Sequence, residues 1–281
     1  KKMKKIIAAF DGLKYSASTR DHAIAWARAA NMHLTGVFLD DVTYTSYKVY
    51  ELITQNGVSD KKLRQLAKKD HDLRNKAVAD FEKACRKAGI AYTIHHDRKT
   101  ALKELLHESI FADLLIIDRK ETLTHYDETL PTRFIRELLA DVQCPVLLVP
   151  QKYKEAEKIV LLYDGRPSSV HAVRMFSYLY PKPDTVPVEV IAVKGMGKDM
   201  HLPDGKLVKE FIKQHYPGAG FKVLKGLPEI EIVKYLGGEK KNTIVVLGAY
   251  RRGSVSRWFK ASMADELMIE LKTALFIAHT K

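Results

Sequence analysis

The sequence has little cysteine and no long apolar run. Its 281 residues include two cysteines, Cys85 and Cys144, and they form no Cys-x-x-Cys pair. This excludes a disulfide framework or a zinc knuckle and favours the reducing cytoplasm. No apolar stretch approaches the ~20 residues of a membrane-spanning helix, so no membrane partner is expected. The basic start of the chain reaches Asp11 too soon to be a signal peptide.

Motifs of catalysis are also missing. The chain contains no Walker P-loop, no Gly-x-Gly-x-x-Gly and no Gly-x-Ser-x-Gly nucleophile elbow. No general base with a partner residue can be named. We therefore expect no enzymatic activity and no catalytic residues.

Acidic residues are outnumbered by basic ones. The chain has 47 Lys and Arg against 34 Asp and Glu, a formal net charge of +13. Such an excess favours anionic partners, including nucleotides. The basic residues form no stripe interleaved with aromatic residues, so nucleic acid is not an expected partner.

The chain repeats itself. Both halves begin with an apolar strand, an Asp-Gly pair, a short loop with serine and an amphipathic helix, and Asp11-Gly12 matches Asp164-Gly165. The matching segments are KKIIAAFDGLKYSASTRDHAIAWA with EKIVLLYDGRPSSVHAVRMFSYLY, and ADLLIIDRKE with NTIVVLGAYR. The repeat predicts two copies of one fold. We expect domains at residues 1–150 and 155–281, with a crossing point after Pro150.

Within each copy, apolar strands alternate with segments of helical spacing. Strands that are apolar on both faces and separated by helices are typical of parallel sheets with right-handed crossovers. We predict an α/β fold with two open, mainly parallel five-stranded sheets flanked by helices. The predicted strands are 5–10, 34–39, 91–95, 114–118 and 146–149, then 159–163, 188–193, 221–224, 243–247 and 274–278. The clearest helical stripe is Leu63, Leu66, Leu73, Ala77, Phe81 and Ala84.

These features resemble the universal stress protein family, twice over and along nearly the whole chain. The resemblance rests on a strand ending in Asp-Gly and on a loop after the fourth strand, which reads Gly-x2-Gly-x9-Gly-Ser/Thr in ATP-binding members. There the loop amides approach the phosphates, the aspartate lies beside the adenine, and the end of the second strand covers the base. Other members bind no ATP. The implied fold is adenine-nucleotide α-hydrolase-like and Rossmann-related.

In the second copy this loop keeps its length but loses glycines. Gly248 takes the first position, Arg251 replaces the second glycine, and Ala261-Ser262 replaces Gly-Ser. Arg251 either clamps a phosphate or plugs its space. The resemblance implies one site for ATP, another adenine nucleotide or a small anion. Its residues would be Asp164, Gly165, Val193, Gly248, Arg251, Arg252, Gly253, Ala261 and Ser262, with Arg257 adding charge.

The first copy does not fit the motif. Asp118, Glu121 and Pro131 stand at the glycine positions, before Thr132. Carboxylates repel phosphates, and proline lacks an amide donor. No nucleotide is expected in the first copy.

Two clusters allow further interpretations. The acidic loop and the nearby histidines could be interpreted as a metal site, but their spacing follows no known metal-binding motif. We therefore expect polar residues that face solvent, and no metal. Its members are His95, His96, Asp97, Asp118, Glu121, His125, Asp127 and Glu128. Tyr44, Tyr47 and Tyr50 suit helix packing, a ligand lid or an interface.

Three functions are compatible with the sequence. The first is a non-enzymatic stress-response protein with at most one nucleotide site, in the second domain. The second is a protein-interaction module in which both sites are inactive, and the third is an adenine-nucleotide-dependent transferase, which would need a further motif. The resemblance also implies an intramolecular pseudo-dimer, in which strands 146–149 and 274–278 meet, or a homodimer.

Overall fold

The chain divides into two compact units, residues 1–143 and 144–281. A computed structural model describes residues 4–40, 60–97, 100–124, 126–180, 185–195, 201–248 and 263–278. The ten predicted strands are all present and the α/β class is confirmed. Among the described segments, no helix has the length and apolar character needed to cross a bilayer.

The first unit contains a parallel sheet with helices in its connections. Its strands are β1 (Lys5–Asp11), β2 (His33–Leu39), β3 (Tyr92–Asp97) and β4 (Leu114–Asp118). Its described helices are α1 (Ala17–Ala30), α2 (Asp60–Ala88), α3 (Ala101–Ser109) and α4 (Arg133–Asp141). The strand order is β3-β2-β1-β4, so the order reverses beside β1.

The second unit repeats this arrangement and adds two strands. Its strands are β5 (Val146–Val149), β6 (Lys158–Leu162), β7 (Val188–Lys194), β8 (Gly220–Lys225), β9 (Thr243–Gly248) and β10 (Ala274–Ala278). Its described helices are α5 (Pro167–Leu179), α6 (Gly205–His215), α7 (Pro228–Gly237) and α8 (Met263–Glu270). The order is β5-β10-β9-β6-β7-β8.

Strand β5 runs antiparallel to β10, with Leu148 opposite Leu275. The expected meeting of strands 146–149 and 274–278 is therefore confirmed. The boundary between the two units falls in the chain before Cys144, so β5 belongs to the second unit, whereas the predicted first domain ends at residue 150. The units accordingly contain four and six strands instead of five each.

Aromatic side chains fill the centre of the first unit. Phe10 lies 5.1 Å from Phe38 and 5.5 Å from Phe81 between ring centroids, and all three are fully buried. Phe81 belongs to α2 and attaches this helix to the sheet. Towards its start the predicted apolar stripe is not fully buried, since Leu73 is 40% exposed. A helix of 29 residues is about 43 Å long, far longer than a seven-residue strand, so it extends past the sheet.

In each unit, carboxylates bind the lysine that begins the strand leading to the Asp-Gly turn, Lys5 of β1 and Lys158 of β6. Lys5 Nζ lies 3.1 Å from Glu108 Oε2, and Lys158 Nζ lies 2.7 Å from Glu239 Oε2 and 3.0 Å from Glu189 Oε2. Burial opposes ionisation of Glu108 and Glu189, but hydrogen bonds from the lysines and their neighbours outweigh it and lower both pKa values. The same device in both units extends the repeat from sequence to side-chain contacts.

We expect Phe81→Ala to lower the free energy of unfolding of the first unit by about 3–5 kcal/mol, because it empties a fully buried aromatic position. The measurement is urea denaturation followed by Trp26 fluorescence in a Trp258→Phe background, since the chain has two tryptophans. Leu73→Ala is the matched control on the same helix, and its loss should stay below about 1 kcal/mol. Equal losses would contradict this assignment of the core.

Candidate functional site

The carboxyl ends of β6, β7 and β9 form one edge of the second unit. Leu162 pairs with Ile191, and Leu161 pairs with Val246. Parallel register therefore brings the residues that follow, Asp164, Val193 and Gly248, to this edge. Strand β6 lies between β9 and β7, and such a reversal of strand order is where open α/β sheets bind ligands.

Part of the predicted site lies within the described residues. Four of its residues, Asp164, Gly165, Val193 and Gly248, are described and lie at this edge. The others lie outside the described residues: Arg251, Arg252, Gly253, Arg257, Ala261 and Ser262, as do Tyr44, Tyr47 and Tyr50.

The Asp164-Gly165 turn has a fixed backbone and an open side chain. Asp164 Oδ1 accepts a hydrogen bond from the Arg166 amide at 2.9 Å. Gly165 has a φ of +81°, and a Cβ there would lie 2.8 Å from Pro203 Cβ, so only glycine fits. The Tyr163 hydroxyl donates a hydrogen bond to the Pro203 carbonyl oxygen at 3.1 Å, which holds Pro203 in this position. The Asp164 side chain remains 57% exposed, and its Oδ2 lies 3.8 Å from Arg166 Nε.

Gly248 brings a helix directly against the end of β9. A Cβ on Gly248 would lie 2.5 Å from the Ser168 carbonyl carbon and 2.7 Å from the Ser169 nitrogen. Because these are backbone atoms of the first turn of α5, they cannot rotate away. The helix amino terminus therefore reaches the edge, where its partial positive charge favours an anion.

The matching edge of the first unit is filled by side chains. Asp11 is 1% exposed, and its Oδ1 accepts from the Leu13 amide at 2.7 Å. Arg74 of α2 reaches over the turn, since its Cγ lies 2.9 Å from where a Cβ of Gly12 would be. Arg74 Nε also lies 2.6 Å from Asp40 Oδ1. This ion pair covers the turn that in the second unit is open.

Asp118 takes the place that glycine has in the second unit. Its Oδ2 accepts from the Ser16 hydroxyl at 2.8 Å, and its Oδ1 accepts from the Lys120 amide at 2.9 Å. Ser16 also caps α1 by accepting from the Thr19 amide at 3.2 Å. A hydrogen bond between the Ser16 and Asp118 side chains, instead of a backbone contact, thus joins the start of α1 to the end of β4.

Glu121 occupies the backbone amides that follow β4. Its Oε1 accepts from the Thr122 and Leu123 amides, both at 3.0 Å. Leu123 has a φ of +51°, the conformation that turns successive amides into an anion-binding nest. Burial raises the pKa of Glu121 to about 8, and the negative charge of Asp11 adds to this effect.

Thr132 is also used inside the protein. Its hydroxyl donates to the Glu121 carbonyl at 2.5 Å and accepts from the Ile135 amide at 3.2 Å as the cap of α4. Pro131 follows a cis peptide bond. The hydroxyl and amides at the phosphate-loop positions therefore have internal partners, which is a stronger obstacle to phosphate than charge alone.

The histidines near this loop are separated. His95 Nδ1 lies 2.5 Å from Glu108 Oε1, whereas the next residue, His96, stacks on Phe38 with ring centroids 5.9 Å apart. Alternation along β3 sends these rings to opposite faces. Among the residues described, no three His, Cys, Asp or Glu side chains are placed to hold a metal ion. His125 and the Asp97 side chain lie outside this set.

Sequence reasoning did not identify Arg74, Asp40 and Pro203 as parts of these edges. Asp40 follows directly on β2, so its place after an apolar strand was a usable signal. Arg74 and Pro203 have no local signal, because each reaches its Asp-Gly turn from a segment distant in sequence.

Comparison with known proteins identifies the fold. No family model and no curated protein matches the chain. A universal stress protein from Archaeoglobus fulgidus has a TM-score of 0.73 at 13% identity, over 98% of each chain. The chain has the universal stress protein fold.

Two structures from Pseudomonas aeruginosa share this universal stress protein fold. A functionally unknown protein of strain PAO1 has a TM-score of 0.63 at 12% identity, over 99% of this chain and 92% of its own. A protein of strain UCBPP-PA14, named provisionally as a universal stress protein, has a TM-score of 0.56 at 12% identity, over 99% and 93%. These matches extend over both units.

We expect Gly248→Ala to destabilise the second unit by about 1–3 kcal/mol, because the added methyl group meets backbone atoms of α5. Thermal unfolding followed by circular dichroism measures the effect. Gly218→Ala is the matched control, since no atom lies within 4 Å of its Cβ position, and its change should stay within about 0.5 kcal/mol. Similar losses in both variants would contradict the close approach of α5.

Proposed function

We propose that the chain is a tandem universal stress protein, with domains at 1–150 and 155–281, and that it is not an enzyme. It binds at most one adenine nucleotide or small anion, in the second domain. The observation that carries this proposal is the contrast between two matching aspartates. The Asp164 side chain is 57% exposed at its edge, whereas Asp11 is buried beneath side chains of its own domain.

In the proposed site each residue has a separate role. Asp164 and Val193 receive the adenine, and the φ of Gly165 holds the aspartate in place. Gly248 admits the start of α5 to the edge, where it faces the phosphates. Arg251 and its neighbours Arg252, Gly253, Ala261 and Ser262 complete the phosphate side. The net charge of +13 supports an anionic ligand.

A protein-interaction module is the alternative function. Three large apolar side chains of the second unit, Leu207, Leu227 and Ile230, are 67%, 63% and 57% exposed. Such side chains suit contact with another protein. Under this alternative neither edge binds a nucleotide. Both cysteines are buried and free, which supports the cytoplasm under either function.

Calorimetric titration with ATP tests the nucleotide site and the role of Arg251. We expect one site per chain at most. If Arg251 clamps a phosphate, Arg251→Ala weakens binding more than about tenfold, roughly 1.4 kcal/mol. If Arg251 plugs the phosphate space, Arg251→Gly strengthens binding instead. Arg64→Ala, which removes an exposed arginine from α2, is the matched control and should bind as the wild type does.

The same titration decides between the two functions. If the wild type, Arg251→Ala and Arg251→Gly all give no heat with millimolar ATP, the nucleotide proposal is wrong and the interaction module takes its place.

In crystals soaked with ATP, we expect no phosphate density beside Thr132. The hydroxyl of Thr132 and the amides after Glu121 already have partners inside the protein. Density for a triphosphate at this position would contradict the proposal that the first domain binds no nucleotide.

A further inference from the structure

Two buried carboxyls of the first unit have no part in the proposed function. Asp11 ends β1 and Glu121 follows β4, a neighbour of β1 in the sheet. Asp11 is 1% exposed and Glu121 is 6% exposed. Two ionised carboxylates in such a position would be expensive in free energy, because each loses its hydration and they repel each other.

The hydrogen bonds of this pair are incomplete. Asp11 Oδ1 accepts from the Leu13 amide at 2.7 Å, and Glu121 Oε1 accepts from two amides at 3.0 Å. Asp11 Oδ2 is buried and has no hydrogen-bond donor. A buried acceptor without a donor is rare in folded proteins. A proton held by one of the two carboxyls would remove one of the two buried negative charges.

The surrounding charges leave Glu121 as the carboxyl that takes the proton. Both charges that act on Glu121, from Asp11 and Asp118, are negative. Burial also raises the pKa of Asp11, but the Leu13 and Lys14 amides and the positive charges of Lys14 and Arg74 act against this rise. Arg74 also pairs with Asp40, and at the end of β4 the buried Arg119 interacts with Asp118.

We propose that Asp11 and Glu121 hold one proton between them, carried by Glu121, and that this proton makes the first unit sensitive to alkaline pH. The step is simple ionisation: the Glu121 carboxyl releases its proton to solvent and becomes a carboxylate. Two buried negative charges then face each other. The loop that Glu121 fastens through the Thr122 and Leu123 amides and the Thr132 hydroxyl is destabilised as a result.

The sign of the pH effect follows from linkage. Burial raises the pKa of Glu121 from 4.5 to about 8, so the folded state holds this proton more tightly than the unfolded state. The contribution to stability is complete below pH 4.5 and is lost as pH rises towards 8. The carboxylates with lowered pKa, Glu108 and Glu189, act in the opposite direction, and only in acid.

Other groups define the informative pH range. Burial lowers the pKa of His22 below 6.5, so this residue adds stability as pH rises towards 6.5. Burial raises the pKa of Cys85 from 9.0 to about 12, so this thiol removes stability above pH 9. Between pH 6.5 and 8.5 the Asp11–Glu121 pair dominates.

Urea denaturation of the first unit, followed by Trp26 fluorescence in the Trp258→Phe background, tests the proposal. From pH 6.5 to 8.5 the folded-to-unfolded ratio should fall at least about tenfold. Glu121→Gln should remove this dependence, because its amide is neutral and has no proton to release in this pH range. Asp127→Asn, an exposed change in the same loop, should keep it. A flat wild-type profile, or an unchanged slope in Glu121→Gln, would overturn the proposal.

Carbon-13 NMR of the Glu121 carboxyl gives a test that does not depend on a folded Glu121 variant. In the wild type we expect its titration midpoint above pH 6.5. Asp11→Asn should move the midpoint at least one pH unit lower, because the neighbouring negative charge is gone. A wild-type midpoint below pH 5, or one that Asp11→Asn leaves in place, would show that the two carboxyls share no proton.

Discussion

The last residue of β4 in the first unit, and of β9 in the second, decides how near a helix can come to the edge of the sheet. At Gly248 the missing Cβ lets the backbone of Ser168 and Ser169 lie directly against the strand. At Asp118 a carboxylate stands between strand and helix, and the Ser16 hydroxyl bridges the distance. From this one difference the second unit keeps a helix amino terminus at its edge, whereas the first surrounds its edge with polar side chains.

In the first unit, the edge that matches the proposed ligand edge of the second unit is part of the protein interior. Arg74 and Asp40 cover the Asp-Gly turn, and Glu121 fills the amide nest that could otherwise face an anion. Such internal bonds hold the edge without any ligand. They also bury ionisable groups, which ties the stability of the unit to pH. The closed edge and the proposed proton site are thus consequences of the same packing.

How far sequence predicts this protein depends on whether the signal is local. Most of the ten strands were predictable because they are short apolar runs, whereas β3 and β8 contain several polar residues and are indicated by their place in the repeat. The burial of Asp11 was not predictable from the sequence, because Arg74 lies 63 residues from Asp11. No residue near Arg74 in the sequence indicates this contact. The place of β5 in the second unit also depends on packing, which the end of an apolar run does not reveal.

A glycine motif alone does not make a binding edge. Glycine in place of Glu121 would free the Thr122 and Leu123 amides, yet the ion pair of Arg74 and Asp40 would still lie over Gly12. Opening this edge therefore requires changes at Asp40 after β2, at Arg74 on α2 and at Glu121 in the loop together. The second unit needs no such change at Asp164, whose side chain is already exposed, and for this reason the proposed ligand belongs there.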